Sequence, residues 1–205
     1  MEENMKKTTL SIVSILALSG LAYAGGDIAP VEPVVEEVVI EPSPFYLGFG
    51  IGDATVNNDT TGEEFSSTTY MFQAGYQYNT YIALEGRYNF GFSTDYDQGN
   101  TNGIAGGYKG DISNWGIYLK PMYPIGDFGV YALLGYGGVM LDDLNGGDAY
   151  ESGFQWGLGA SYLLSERVTV FVDYVVLYDD TGFDYVARTD DIDSDTWTAG
   201  LSYRF

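Results

Sequence analysis

From Phe45 onward, apolar and polar residues alternate with period two, and the alternation breaks into eight segments. A period of two sets successive side chains on opposite faces of a β-strand. The last segment, residues 195–205, shows the pattern most plainly, with Trp197, Ala199, Leu201, Tyr203 and Phe205 alternating with Thr196, Thr198, Gly200, Ser202 and Arg204. One face is apolar and aromatic at both ends; the other is small or polar. The remaining segments are 45–53, 69–78, 81–92, 112–123, 128–140, 152–163 and 168–178. In 69–78, for example, Tyr70, Phe72, Tyr76 and Tyr78 oppose Met71, Gln73, Gly75 and Gln77.

The connections alternate too. Short turns follow the second, fourth and sixth segments, at Asn79-Thr80, at Pro124 to Asp127 and at Leu164 to Arg167. Long, polar, acidic stretches follow the others, over 54–68, 93–111, 141–151 and 179–194. An aromatic face needs lipid, and an open sheet edge cannot sit in hydrocarbon, so the strands must close on themselves. The pattern predicts an all-β fold: an eight-stranded antiparallel up-and-down transmembrane β-barrel, with short turns on one side of the membrane and long loops on the other. The aromatic-ended last segment is expected to close it, pairing with the first and the seventh, with Trp197 and the Tyr203/Phe205 pair marking the two lipid interfaces.

Charge placement tests this. Glu85, Arg87, Lys120, Asp173 and Arg204 lie well inside the segments, and all five fall on the face opposite the aromatic one. A charge on the lipid face near the midplane costs roughly 2–4 kcal/mol, whereas one in the lumen is hydrated or paired. A soluble carrier barrel has the reverse parity. An eight-stranded barrel is just wide enough for its side chains to fill, so the five are expected to form a lumen charge network. Neighbouring strands offer Lys120 to Glu85 and Arg87, and Arg204 to Asp173. A gate built from the same charges is the sharper alternative.

Composition narrows the function. The chain of 205 residues has 28 Gly and 19 Tyr, which suits strands. It carries 29 acidic against 8 basic residues, a formal charge of −21, so nucleic acid is excluded as a partner. It has no histidine and no cysteine. Without the commonest general base and metal ligand, no enzyme activity, cofactor or metal is expected. Asp191, Asp193 and Asp195 have a spacing that gathers Ca²⁺ in other proteins, but they lack the Gly and distal Glu of a calcium loop, and a solvated acidic loop is the plainer reading. Asp95 and Asp97 read the same way. Tyr96, Tyr108, Tyr150 and Tyr185 are candidates for surface contacts or for an interfacial belt.

Ahead of the barrel, residues 1–24 read as a signal peptide: Lys6 and Lys7, an apolar stretch over 10–21, and Ala22-Tyr23-Ala24 for cleavage. Residues 25–44 read as an acidic periplasmic linker punctuated by Pro30, Pro33, Pro42 and Pro44. The barrel domain is 45–205. An even number of strands then leaves both termini periplasmic.

Four stretches carry a family resemblance: Phe45-Tyr-Leu-Gly-Phe-Gly-Ile-Gly52, Ala83-Leu-Glu-Gly-Arg-Tyr88, Val130-Tyr-Ala-Leu-Leu-Gly-Tyr-Gly137 and Ala199-Gly-Leu-Ser-Tyr-Arg-Phe205. In these the chain resembles the small outer-membrane β-barrel family that includes the OmpA transmembrane domain and OmpX-like proteins. The resemblance implies a scaffold in the Gram-negative outer membrane and no particular reaction. It also implies that Leu201, Tyr203 and Phe205 form the signal read by the barrel-assembly machinery. A mainly structural role is the expectation, with narrow porin-like permeation left open. A surface adhesin acting through the acidic loops is the alternative. Expected partners are outer-membrane lipid, lipopolysaccharide and the assembly machinery, and a monomer is expected.

Overall fold

A computed structural model describes residues 43–100, 110–144, 147–181 and 190–205. Eight strands follow in chain order: β1 (Phe45–Asn58), β2 (Glu63–Asn79), β3 (Ile82–Asp97), β4 (Ile112–Ile125), β5 (Phe128–Leu144), β6 (Gly147–Leu163), β7 (Val168–Thr181) and β8 (Asp191–Arg204). Each pairs with the next, and β1 pairs antiparallel with β8, with Tyr46 opposite Arg204 and Phe49 opposite Leu201. The barrel is therefore closed, as lipid immersion requires. At the β4–β5 turn, Gly126 adopts φ 66°, a left-handed conformation natural to glycine.

The signal-peptide reading and most of the linker reading lie outside the described residues. Ser43 and Pro44, assigned above to the linker, instead join the barrel wall. The Ser43 amide donates to the Phe205 carbonyl at 2.7 Å, and the Gln77 amide donates to the Pro44 carbonyl at 2.8 Å.

Outward faces carry the aromatic set. Phe49 is 48% exposed, Ile117 57%, Leu158 61% and Trp197 58%, in the parity read from sequence. Rings meet across strands, as in the Phe45–Tyr76 and Phe49–Phe72 pairs at 5.1 and 5.2 Å between centroids. Such pairs stabilise a sheet face beyond their area alone.

The strands extend well past the limits predicted for them, and the expected long loops shrink accordingly. The cause is an inversion of polarity. Beyond Ile51, Asp53 and Thr55 turn outward while Ala54 and Val56 are fully buried. Opposite them, Glu64 and Ser66 face out and Phe65 faces in. On β8, Asp193 and Asp195 face out and Ile192 faces in. Below this level the barrel is apolar outside and polar inside; above it the order is that of a water-soluble barrel. Irregularities at Thr68/Thr69 and Val176/Tyr178 help shift the parity, so that Tyr96 turns inward onto Phe65 at 4.9 Å.

The lumen is consequently layered. Toward the long-strand end it is filled by Ala54, Val56, Phe65, Ile112, Val139, Leu141, Ala149, Leu177 and Ile192, one apolar cluster. The middle holds charges and amides. Toward the short-turn end a cavity opens.

Candidate functional site

Glu85 and Arg87 leave β3 on the same face with Gly86 between them, and Lys120 stands opposite Ala83 on β4. Arg87 Nε donates to Glu85 Oε1 at 2.7 Å, and Lys120 Nζ donates to Glu85 Oε2 at 2.8 Å. The guanidinium also crosses the lumen to β7, where Nη1 and Nη2 donate to the two carboxylate oxygens of Asp173, both at 2.8 Å. All four side chains are buried, and two positive charges meet two negative ones. A bidentate pair of this kind fixes orientation as well as charge. Arg87 lies 5.8 Å from the Phe171 ring centroid and Lys120 4.1 Å from that of Tyr131, so aromatic faces share the charge.

A repeated register device completes the coordination. Tyr46, Gly75 and Glu85 sit in one cross-strand row, and Tyr131, Gly159 and Asp173 sit in another. In each row the tyrosine lies flat over the glycine, where a Cβ would collide with its ring, and donates to the acid beyond it. Tyr46 reaches Glu85 Oε2 at 2.5 Å and Tyr131 reaches Asp173 Oδ2 at 2.6 Å. A third row runs Tyr118, Gly135, Gln155, and the Tyr118 hydroxyl donates to Gln155 Oε1. These tyrosines were missed in the sequence as members of the network. Their signal is a lumen-facing Tyr whose neighbouring strands present Gly and then an acceptor, visible only once the register is known.

Of the five charges singled out in the sequence, Arg204 alone stays outside this cluster. It does not pair with Asp173, because the register sets Asp173 opposite Thr198, six residues along β8 from Arg204 and roughly 20 Å away. Instead its Nε donates to the Ser43 carbonyl at 3.0 Å and its Nη2 to Gln77 Oε1 at 2.6 Å. It lines the cavity at the short-turn end together with Gln73, Lys120, Ser161 and Ser202.

A family model for the outer membrane protein beta-barrel domain matches residues 13–205. The chain belongs to that family. No curated protein sequence matches it significantly. Among solved structures, this outer-membrane barrel is similar to Neisserial surface protein A, with a TM-score of 0.55 at 17% identity over 80% of this chain and 99% of that one. The attachment invasion locus protein Ail of Yersinia pestis gives a TM-score of 0.51 at 18% identity, covering 78% of this chain and 97% of that one. The N-terminal β-barrel domain of Pseudomonas aeruginosa OprF gives 0.53 at 11% identity, covering 80% and 100%. At these identities the likeness speaks for the fold. With the family match, it places the protein in the outer membrane of a Gram-negative bacterium.

At the long-strand end of the outer-membrane barrel, Asp191, Asp193 and Asp195 lie on β8 and Asp95 and Asp97 on β3, not in loops. Their alternate spacing is strand periodicity. Asn57 Nδ2 donates to Asp193 Oδ2 at 3.0 Å, and Ser66 Oγ donates to Asp53 Oδ1 at 3.0 Å. Among the described residues no three His, Cys, Asp or Glu side chains are grouped to hold a metal. Beyond the spanning segment, the Asp142 carboxyl is held above its ordinary range, first by partial burial and then by Asp148, Asp111 and Asp143. Tyr150 faces out and is 40% exposed, whereas Tyr96 packs inside. Tyr108 and Tyr185 lie outside the described residues. Leu201, Tyr203 and Phe205 all face lipid.

Proposed function

We propose that the protein is a sealed, membrane-structural barrel, oriented with short turns and termini toward the periplasm and its acidic strand extensions outside the cell. The observation that carries this is the double barrier in the lumen. A neutral, hydrogen-bonded quartet of Glu85, Arg87, Lys120 and Asp173 fills the middle, and a packed aliphatic layer lies above it. An ion would have to break buried pairs and then cross a dry constriction. Narrow permeation through a charge gate therefore requires two separate openings. Lipid and lipopolysaccharide surround the belt, the assembly machinery reads the end of β8, and the aromatic belt serves a monomer. The chain lacks histidine, the commonest general base, and catalysis forms no part of this reading.

Planar-bilayer recordings and solute-swelling assays on wild type and Lys120→Ala test it. The expected result is silence in both, since the aliphatic layer persists in the variant. Steady conductance through the wild type overturns the sealed reading.

A second reading, surface attachment, draws on the acids displayed on rigid strand extensions. The Yersinia protein was solved with a heparin analogue, sucrose octasulfate. Here the outward Asp53, Glu64, Asp193 and Asp195 would repel a polysulfate, so an attachment role calls for a cationic protein surface.

A further inference from the structure

Gln73 continues the register device of the lumen and leaves it unfinished. It lies on β2 opposite Gly48 of β1, which in turn stands opposite Ser202 of β8. A Cβ on Gly48 would come within 2.5 Å of Gln73 Nε2 and 2.7 Å of its Cγ, so the side chain is laid across the glycine just as Tyr46, Tyr118 and Tyr131 are. Those three each end on an acceptor. Gln73 is 3% exposed, and both its amide nitrogen and its amide oxygen lack a hydrogen-bond partner. A buried primary amide with donor and acceptor both unmet is costly and calls for an occupant.

The space for one is present. Gln73 borders the short-turn cavity, whose volume is roughly 260 Å³. One water needs only ~10–15 Å³ of such space. Arg204 borders the same cavity one inward position beyond Ser202 on β8, and its guanidinium engages a carbonyl and an amide but no carboxylate. Since the central quartet is neutral by itself, Arg204 is, among the described residues, the strand cation facing the lumen without a carboxylate partner; at the mouth of the cavity Arg167 stands beside Glu166 and Asp127. Two strand spacings of ~4.8 Å and one two-residue step of ~6.8 Å separate the backbones at Gln73 and Arg204. Both side chains border the cavity, with the Arg204 guanidinium held at Gln77 and Ser43 on its outer side and Gln73 laid across Gly48 farther in, so a small molecule seated between them can meet both.

We infer that this vestibule binds a small carboxylate that also carries an amide, of the size of an N-acylamino acid. The carboxylate meets Arg204, and the ligand amide forms the paired donor and acceptor contacts that Gln73 offers. Lys120, at the inner end of the cavity and already held by Glu85, adds positive field without needing to move. The site lies on the short-turn side of the quartet and opens at that end, so its occupation requires no passage through the barrel.

The test uses the full-length protein in lipid nanodiscs, with N-acetylglycinate as the probe and NMR of the ¹⁵N-labelled Gln73 side-chain amide as the readout. N-acetylglycinate should move that resonance saturably. Acetate, which lacks the amide, and N-acetylglycinamide, which lacks the carboxylate, should each bind more weakly. By protein-wide shifts, Gln73→Met should weaken N-acetylglycinate by roughly fivefold, as the loss of a buried hydrogen-bonded contact implies. Arg204→Gln should weaken N-acetylglycinate while leaving N-acetylglycinamide unchanged. Gly48→Ala, which keeps the amide but pushes it out of place, serves as the second variant if Gln73→Met does not fold. No saturable shift in wild type, or equal affinity in wild type and the folded variant, overturns the inference and leaves internal water as the partner of Gln73.

Discussion

Asp173 accepts three hydrogen bonds, two from Arg87 and one from Tyr131, while being 1% exposed. Truncating it leaves Arg87 and Lys120 to share Glu85, one buried positive charge in excess, and breaking a buried pair from one side typically costs about 3–5 kcal/mol. Asp173→Ala should therefore lower unfolding stability by about that amount, measured by urea titration in lipid vesicles. Tyr131→Phe removes one of the three donors and should cost about 1 kcal/mol. Equal losses for the two variants would contradict the assignment of Arg87 as the main partner. At this scale the sequence disclosed which charges face inward, because parity on a strand decides that without knowledge of register. It did not disclose their partners. Adjacent-strand logic joined Asp173 to Arg204, whereas a long guanidinium crosses the lumen from β3 to β7, a contact that only closure of the barrel creates. Nor could it reveal that Tyr46 and Tyr131 reach acids two strands away, since that depends on a glycine standing in the row between them.

At the scale of the element, β8 joins both ends of the sheet. Its backbone pairs with β1 from Arg204 to Ile192 and with β7 from Tyr203 to Asp191. Phe205 lies at its end, 50% exposed and edge-on to Tyr203 at 5.6 Å. Its amide donates to the Phe45 carbonyl at 3.3 Å, and its carbonyl accepts from Ser43 at 2.7 Å, so the residue also ties the closing seam. Deleting Phe205 should impair insertion, read as a lower outer-membrane level of the heat-modifiable form. Refolding the same variant into detergent separates a recognition defect, in which yield is kept, from a structural one, in which it falls. Unchanged outer-membrane levels would remove Phe205 from the assembly role. All eight strands were legible because the lipid-facing alternation is dense in aromatics. Their outer extensions were not, because there the apolar set changes faces. The stretch Asp191-Ile-Asp-Ser-Asp195 looks like a chelating loop when acids are counted, and like a strand when Ile192 and Ser194 are seen to alternate with them.

For the whole molecule, the polarity inversion fixes where hydrocarbon ends. On β1 it falls between the lipid-facing Ile51 and the outward, hydrogen-bonded Asp53. Asp53 stands opposite Trp197 on β8. Trp156 stands opposite Val176 on β7, which stands opposite Asp195. Both tryptophans thus sit at the level where outward acids begin. The stretches 115–125, 156–163 and 197–205 each come close to the roughly 9–11 residues with which a tilted strand crosses a membrane. Trp115, Trp156 and Trp197 consequently form one belt at one interface, and their indoles are suited to that boundary. Lipids brominated near the headgroup should then quench the tryptophan fluorescence more strongly than lipids brominated near the chain ends. Strongest quenching from the bilayer centre would place the inversion inside the hydrocarbon, leaving Asp53 and Asp195 facing lipid at a cost of several kcal/mol. The membrane boundary would then lie farther out along the strands than the tryptophans, and the aliphatic layer, with the seal it provides, would lie within the membrane instead of above it.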